Sequence, residues 1–215
     1  MNLETAVLEP RQRERTTNAY VRRVKPVFDR SVALAMLIFL APVFALVALA
    51  VRVSMGPGVL YRQVRVGRDG EDFTILKFRT MRHDRRLASL PIDFPDRRRT
   101  HKTVDDPRHT TVGRFLRSTG VDELPQLVNV VRGEMSLVGP RPELAEVADR
   151  YGFRHHPRHD VLPGITGLWQ ISPLRDELLH ENLHLDLDYL DELGLGTDLR
   201  ILAGTCKDVF GRTGA

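Results

Sequence analysis

The feature that most constrains this chain is an uncharged run at residues 31–51, in a sequence of which 28% is charged. The run is long enough for a helix of about 20 residues that crosses the hydrocarbon core of a bilayer. Basic residues stand on both sides of it: Arg22, Arg23, Lys25 and Arg30 before, and Arg52, Arg62, Arg65 and Arg68 after. Any fold must therefore place a long apolar segment between two positive flanks.

Three interpretations of the run compete. A cleaved signal peptide would explain Ala48-Leu49-Ala50, although its positive region would be shorter than the one here. A simple span would put the two basic flanks on opposite sides of the membrane, against the positive-inside tendency. Pro42 lies near the middle and removes a helical hydrogen bond. We therefore expect a bent helix that enters and leaves the membrane by the same face.

Composition limits the remaining possibilities. At 215 residues the chain is long enough for one domain with a full hydrophobic core. Its net charge of +4 favours phosphorylated substrates, anionic lipid or nucleic acid as binding partners. The arginine-rich residues 83–108 predict a loop, but they lack the interleaved aromatic residues that would favour nucleic acid. Cys206 is the sole cysteine, so no intrachain disulfide forms, which fits a reducing compartment.

Charged residues suited to catalysis are concentrated at residues 117–142. Asp122 and Glu123 precede Leu124-Pro125, and this pattern predicts the start of a helix. The two carboxylates would lie at the positive end of that helix, which favours their ionised form. Gly133 marks the predicted end of the helix. Arg117 and Arg141 flank the pair. Carboxylates beside arginines indicate phosphoryl chemistry with Mg²⁺, because oxygen ligands hold the metal and guanidinium groups hold phosphate. A helix cap with ordinary surface ion pairs is the alternative.

Residues 59–81 predict two strands joined by the turn Gly67-Arg68-Asp69-Gly70. Lys77 and Arg79 lie on the same face of the second strand, because side chains alternate along a strand. Two interpretations stay open for them. They contact substrate phosphate, or they protect a sheet edge with positive charge.

Residues 180–184 match the H-E-x-x-H pattern of zinc metalloproteases, with His180, Glu181 and His184 in a predicted helix over residues 177–193. A membrane zinc protease is therefore an alternative function. The acidic polar face of the predicted helix and the lack of a third ligand at a set spacing argue against it.

Three motifs in order carry a resemblance: Lys77-Phe78-Arg79-Thr80-Met81, residues 117–142, and Pro163-Gly164-Ile165-Thr166-Gly167. They resemble the bacterial sugar transferases, monotopic phosphoglycosyl transferases that move a sugar phosphate from a UDP-sugar onto a polyprenyl phosphate. The resemblance covers residues from about 25 to 215. Ala41-Pro42 stands where that family carries a Ser-Pro break in its re-entrant helix.

The resemblance implies a mostly helical α+β fold that is membrane-associated, with amphipathic surface helices. The predicted segments are a mobile polar tail (1–24), a re-entrant helix (25–54) and a catalytic domain (55–215) on the cytoplasmic face of the bacterial inner membrane. The implied partners are a UDP-sugar, undecaprenyl phosphate and membrane lipid, without nucleic acid; a homodimer is compatible with the sequence. A non-catalytic basic membrane-binding or nucleic-acid-binding module is a further alternative.

The resemblance also assigns roles to individual residues. Asp122 is implied as the nucleophile and Glu123 as its acidic partner, with both at the Mg²⁺. Lys77, Arg79, Arg117 and Arg141 are implied to bind the substrate. UMP is expected to leave first, so that a covalent aspartyl phosphosugar forms. The identity of the sugar is not encoded in any pattern of the sequence.

Overall fold

The computed structural model describes residues 19–82 and 110–212, and this part of the chain is a mostly helical α+β fold, which confirms the predicted class. A π-helical turn, Tyr20–Val24, leads into the first helix. The helices are α1 Lys25–Phe39, α2 Ala41–Met55, α3 Thr111–Thr119, α4 Gln126–Arg132, α5 Ala145–Arg150, α6 Leu168–Ile171, α7 His184–Asp191 and α8 Leu195–Arg212. The strands are β1 Leu60–Val66, β2 Asp72–Phe78, β3 Ser136–Val138 and β4 Gly164–Thr166.

The uncharged run forms a bent pair of helices. Leu40 leaves the helical conformation with ψ near 4°, and Pro42 occupies the first turn of α2. The segments Tyr20–Phe39 and Ala41–Met55 meet at a bend of 64°. Proline cannot donate to the carbonyl four residues earlier, so the helix breaks there without help from a serine hydroxyl. The predicted bend is confirmed.

Within residues 19–82 and 110–212, no single helix has both the length and the hydropathy to span a bilayer, whereas the bent pair together does. Large apolar side chains on the pair are exposed, among them Ile38 (70%), Phe39 (83%) and Val53 (79%). Further exposed apolar residues lie on α3 and α8: Phe115, Leu195, Leu199 and Val209. Where such side chains form a contiguous patch, they mark a membrane or protein contact.

The strands β1 and β2 form the predicted antiparallel hairpin, from Leu60 opposite Phe78 to Val66 opposite Asp72. Its turn is a short 3-10 segment, Arg68–Gly70, in which Asp69 adopts a left-handed φ of 58°. Strands β3 and β4 form a separate two-stranded parallel sheet. The hairpin thus has no further strand on either edge within the described part of the chain.

The side chain of Asn129 pairs with the edge of β2. Its amide oxygen accepts from the backbone N–H of Leu76 at 3.1 Å, and its nitrogen donates to the carbonyl of Thr74 at 2.8 Å. These two bonds imitate those of a neighbouring strand. They fix α4, which carries Asn129, against the hairpin, and the side chain is fully buried.

The main core lies between α1, α4, the short parallel sheet and α8. Ala33 of α1, Leu127 and Val130 of α4, and Ile201 of α8 are almost completely buried in it. The second half of the bent pair packs elsewhere, where Phe44 and Val51 of α2 meet Phe78 at the end of β2. The bent pair is therefore attached to the rest of the fold along both of its arms.

A buried polar cluster joins the start of α1 to α8. The Lys25 ammonium lies 2.6 Å from an Asp198 carboxylate oxygen and 3.3 Å from Asp29. The Tyr20 hydroxyl donates to the same Asp198 oxygen at 2.6 Å. Burial and the neighbouring Asp198 carboxylate raise the pKa of Tyr20 well above its usual range.

The cluster continues to the parallel sheet. The Tyr189 hydroxyl contacts the second Asp198 oxygen at 2.9 Å, and the Ser136 hydroxyl contacts Asp29 at 2.5 Å. Ser136 begins β3, so the network connects three distant parts of the sequence. We call these six residues the Asp198 cluster: Tyr20, Lys25, Asp29, Ser136, Tyr189 and Asp198.

Several predicted boundaries change. The polar tail predicted for residues 1–24 lies outside the described residues except at its end, where Tyr20–Val24 is helical. The predicted loop at 83–108 lies outside them altogether. The helix predicted over 177–193 is wrong in its first half, because a 3-10 turn, Leu179–Glu181, precedes α7.

Candidate active site

Three elements bring four charged side chains together. Lys77 comes from the end of β2, Asp122 and Glu123 from a 3-10 turn (Val121–Glu123), and Arg141 from the loop after β3. Gly120 ends α3 with a left-handed φ of 72°, a conformation that favours glycine, and so turns the chain into the acidic pair. We call Lys77, Asp122, Glu123 and Arg141 the site cluster.

Glu123 is the charge-paired carboxylate of the cluster. Its Oε1 atom accepts from the Lys77 ammonium at 2.6 Å and from an Arg141 guanidinium nitrogen at 3.3 Å. Burial alone would raise the pKa of Glu123, but Arg141 and Lys77 outweigh it and hold the pKa at about 2. Glu123 is thus a permanent anion that holds two cations in place.

Asp122 has the opposite environment. Its side chain is buried, and burial followed by the neighbouring Glu123 charge raises its pKa to about 6, although Lys77 and Arg117 act against the rise. Both carboxylates are therefore ionised at neutral pH as expected, but the surroundings favour the charge of Glu123 and disfavour that of Asp122. The helix-start argument fails because α4 begins only at Gln126, and Asp122 is not its cap.

Arg141 is positioned through its backbone. The fully buried Arg158 donates to the Arg141 carbonyl at 2.6 Å and forms an ion pair with Asp186 at 2.9 Å. On the next residue, the Pro142 carbonyl accepts from Arg65 at 3.2 Å. Two buried or half-buried arginines therefore fix the main chain from which the Arg141 guanidinium reaches Glu123.

Glycines let the loop that carries Arg141 approach its neighbours closely. A Cβ on Gly139 would lie 2.5 Å from the Leu162 carbonyl oxygen, and one on Gly164 would lie 2.1 Å from the Gly139 nitrogen. Real Cβ atoms do not occur at such distances, so the Val138-Gly139-Pro140 and Pro163-Gly164 segments must be glycine-containing to pack. The sequence motif thus has a steric reason.

Arg79 and Arg117 are placed differently from Lys77 and Arg141. The Arg79 guanidinium donates to the carbonyls of Pro57, Met55 and Gly56 at 2.7–2.8 Å, and so caps the end of α2. The exposed Arg117 bonds the Thr80 hydroxyl at 3.1 Å and lies near enough to lower the pKa of Asp122. In this structure Arg79 holds α2 on the hairpin, while Arg117 borders the acidic pair.

Sequence reasoning missed three buried polar residues that support the site: Gln126, Asn129 and Arg158. Gln126 and Asn129 interrupt an apolar stretch, Gln126-Leu127-Val128-Asn129, and that interruption was the available signal, whereas the polar sequence around Arg158 offers none. A buried amide or guanidinium must find hydrogen-bond partners, so its position in an apolar pattern predicts a specific contact. What it contacts follows only from the tertiary fold.

The H-E-x-x-H residues do not form a metal site. His180 and Glu181 lie in the 3-10 turn and His184 begins α7, so the two histidines do not share a helical face. In the described ranges no group of three or more His, Cys, Asp or Glu side chains is placed to hold a metal ion. Instead the His180 ring stacks on Tyr151 with centroids 4.0 Å apart.

Comparison with known proteins identifies the family. A family model described as bacterial sugar transferase matches residues 20–212. The chain is 41% identical over 191 residues to the exopolysaccharide production protein ExoY of Sinorhizobium fredii, covering 86% of this chain and 84% of that protein. The chain therefore belongs to the bacterial sugar transferase family, and the predicted transferase class is confirmed.

Two further relatives have more specific names. One is the UDP-glucose:undecaprenyl-phosphate glucose-1-phosphate transferase of Caulobacter vibrioides, 40% identical over 194 residues, which are 86% of this chain and 69% of that protein. The other is the undecaprenyl-phosphate galactose phosphotransferase of Salmonella typhimurium, 38% identical over 200 residues. That alignment covers 90% of this chain but 42% of the Salmonella protein.

Proposed function

We propose that this protein transfers a sugar 1-phosphate from a UDP-sugar to undecaprenyl phosphate and releases UMP, as a first step in building an exopolysaccharide or related glycan. The observation that carries the proposal is the pair of adjacent carboxylates in opposite environments. Glu123 is held as an anion by two cations, and Asp122 is buried with incomplete charge compensation. Names of relatives that act on undecaprenyl phosphate support the substrate class.

The proposed chemistry has two displacements at one phosphorus. A carboxylate oxygen of Asp122 attacks the sugar-bearing phosphorus, the bond to the UMP oxygen breaks, and UMP leaves. An oxygen of undecaprenyl phosphate then attacks the same phosphorus and expels the Asp122 carboxylate, giving the lipid diphosphate sugar. Arg141, Lys77 and Arg117 supply positive charge to the phosphate oxygens as negative charge develops.

The donor set fits Mg²⁺ once substrate is bound. Mg²⁺ commonly uses one or two carboxylates and completes its shell with water and substrate phosphate oxygens. Asp122 and the second oxygen of Glu123 would hold it, and the proposal is supported by the pKa of Asp122, which burial and the Glu123 charge raise despite Lys77 and Arg117 nearby. When bound, the ion would neutralise phosphate charge that repels an incoming carboxylate.

The membrane placement is part of the same proposal. The bent pair presents its exposed apolar residues, such as Ile38 and Phe39, to the inner-membrane interior, and both basic flanks stay at the cytoplasmic face. The acceptor lipid would then reach the site from the bilayer. Exposed apolar positions on α3 and α8, including Phe115 and Leu199, would add to the membrane contact.

The decisive experiment for the reaction measures UMP. Enzyme, Mg²⁺ and a panel of UDP-sugars should yield up to one equivalent of UMP before lipid is added, with a matching mass increase on the protein. Adding undecaprenyl phosphate should then allow turnover. If UMP appears only after both substrates are present, direct transfer replaces the covalent mechanism.

A labelling experiment tests the topology. Cysteines at Ala19 and Arg68 flank the bent pair, and in a Cys206→Ser background both should resist an impermeant thiol reagent in intact cells. Both should react after permeabilisation, which controls for accessibility. Labelling of one position alone in intact cells would establish a single span and contradict the re-entrant arrangement.

A further inference from the structure

A small cleft beside the acidic pair contains a buried amide that has no partner. The cleft is lined by Arg65, Ile75, Lys77, Gln126, Arg141 and Pro142. The side chain of Gln126 is 2% exposed, and its Nε2 atom lacks a hydrogen-bond acceptor among the described residues. Buried donors without acceptors are uncommon in native folds, and each one calls for an explanation.

A comparison on the same helix makes the unpaired amide of Gln126 informative. Three residues later, Asn129 is equally buried, and its amide makes three hydrogen bonds, to Leu76, Thr74 and Glu134. Helix α4 thus carries one amide whose bonds stabilise the fold and one whose donor is unused by it. The unused donor is the one that borders the cleft next to Lys77 and Arg141.

The walls of the cleft indicate what the donor binds. Lys77, Arg141 and Arg65 line it, and although Glu123 pairs with the first two and Glu143 with the third, no carboxylate among the described residues lines the cleft itself. These N–H donors disfavour a metal ion and favour an oxygen that carries negative charge. A buried N–H gains most from an ionised acceptor, because the acceptor also interacts with the surrounding cations. Phosphate oxygens meet this requirement, whereas sugar hydroxyl oxygens are uncharged.

We propose that Gln126 contacts a substrate phosphate in this cleft and positions it against Asp122. The proposal rests on the proposed function, in which the UDP-sugar and undecaprenyl phosphate both carry phosphate. Gln126 supplies a neutral, directional donor between Lys77 and Arg141. A neutral donor contributes geometry without adding another positive charge that would bind the product more tightly.

The test is Gln126→Met, which keeps the length of the side chain and removes the donor. We expect the KM for one of the two substrates to rise about tenfold to one-hundredfold, the range for losing a hydrogen bond to a charged group. A raised KM for the UDP-sugar assigns the diphosphate; a raised KM for undecaprenyl phosphate assigns the lipid phosphate. If neither KM changes in a folded variant, the proposal is overturned.

Thermal unfolding separates binding from structure. Because the folded chain leaves the donor unpaired, Gln126→Met should keep or raise the Tm. Gln170→Met is the matched control, since Gln170 lies on α6 and does not line the cleft; it should leave both KM values unchanged. A lower Tm for Gln126→Met with normal KM values would assign a structural role and overturn the proposal.

A second variant covers the case in which the methionine does not fold. Gln126→Glu keeps the shape and places an anion in the cleft, so it should raise the same KM more than the methionine does. Should the wild type release no UMP with any UDP-sugar, the proposed function fails, and titration with inorganic pyrophosphate or inorganic phosphate still tests the subsite. Equal binding of both probes by wild type and Gln126→Glu would then overturn it.

Discussion

The site cluster and the Asp198 cluster both join carboxylates to cations, yet the Asp198 cluster is mostly buried and the site cluster mostly half-buried. In the described part of the chain, no buried side-chain atom of the Asp198 cluster lacks a hydrogen-bond partner. Its Lys25 ammonium contacts two carboxylates, and each Asp198 oxygen accepts a tyrosine hydroxyl. Such a network is complete without a ligand.

Among the described residues the site cluster also has no unpaired buried side-chain atom, but its charges are compensated unevenly. Both of its cations converge on one oxygen of Glu123, while Asp122 is left with a pKa raised to about 6. Buried polar groups stabilise a fold when all of their bonds are made and cost stability when they are not. We therefore expect the Asp198 cluster to serve stability, and the site cluster, in which burial disfavours the charge of Asp122, to gain from a bound substrate.

The largest expected effect comes from Asp122→Asn. Loss of the nucleophile should reduce UMP formation by about a thousandfold or more, and the covalent mass increase should disappear.

The same substitution should raise the stability of the fold. A pKa raised from 3.8 to about 6 means that ionised Asp122 costs the fold up to about 2–3 kcal/mol above pH 6, a cost absent in the asparagine variant.

Thermal unfolding at pH 8 checks the second half of that prediction. We expect a higher Tm for Asp122→Asn than for the wild type, and a lower Tm for Glu123→Gln, which leaves buried Lys77 without its carboxylate partner. Equal shifts in the two variants would show that the carboxylates share one environment. That result would remove the contrast on which the proposed roles depend.

Asp198→Ala tests the other cluster. It removes the partner of Lys25, Tyr20 and Tyr189 at once, and breaking a buried ion pair costs about 3–5 kcal/mol. We expect the Tm to fall strongly, measured by thermal unfolding in detergent. Glu192→Ala is the matched control, because its ion pair with Arg200 lies on the surface with both side chains about 60% exposed; its Tm should stay within a degree or two.

Sequence patterns predict the parts of this fold that depend on local preference. Pro42 predicts the bend, Gly67-Arg68-Asp69-Gly70 predicts the hairpin turn, and Gly133 predicts the end of α4. Each depends on backbone conformation within a few residues. The acidic pair is also predictable, because Asp122 and Glu123 are adjacent in sequence.

Other features depend on partners far away in the chain. Nothing local distinguishes Arg79, which caps α2, from Lys77, which contacts Glu123. Likewise, nothing in the acidic sequence Asp186-Leu187-Asp188 shows that Asp186 is the buried partner of Arg158, which holds the Arg141 backbone. The pKa difference between Asp122 and Glu123 arises the same way, from burial and from the distant Lys77 and Arg141.

Arg141→Lys tests whether the site cluster needs guanidinium geometry or positive charge alone. Lysine keeps the charge but loses the planar fork that binds two phosphate oxygens. We expect kcat/KM for the UDP-sugar to fall about a hundredfold, with an unchanged Tm because Arg158 holds residue 141 through its backbone carbonyl. Near-normal turnover would show that Arg141 acts as a general positive charge.

The smallest expected effect is on the pH dependence of the first half-reaction, in which UMP is released. The rate should fall at low pH, and we call this falling part of the pH profile the limb. Asp122 must be ionised to attack, and its pKa without metal is about 6, so the rate of UMP release is retained above pH 6 and falls about tenfold per unit below the pKa, which Mg²⁺ at this carboxylate would lower further. The measurement is single-turnover UMP release without lipid, because a phosphate monoester such as the lipid acceptor itself titrates near pH 6.

Two variants should move this limb in opposite directions. Glu123→Gln removes the like charge that raises the pKa of Asp122, so the limb should shift to lower pH, even where the rate is reduced. Arg117→Gln removes a charge that lowers the same pKa, so the limb should shift to higher pH. A limb that stays in place in both variants belongs to another group, and Asp122 would then not be the titrating nucleophile.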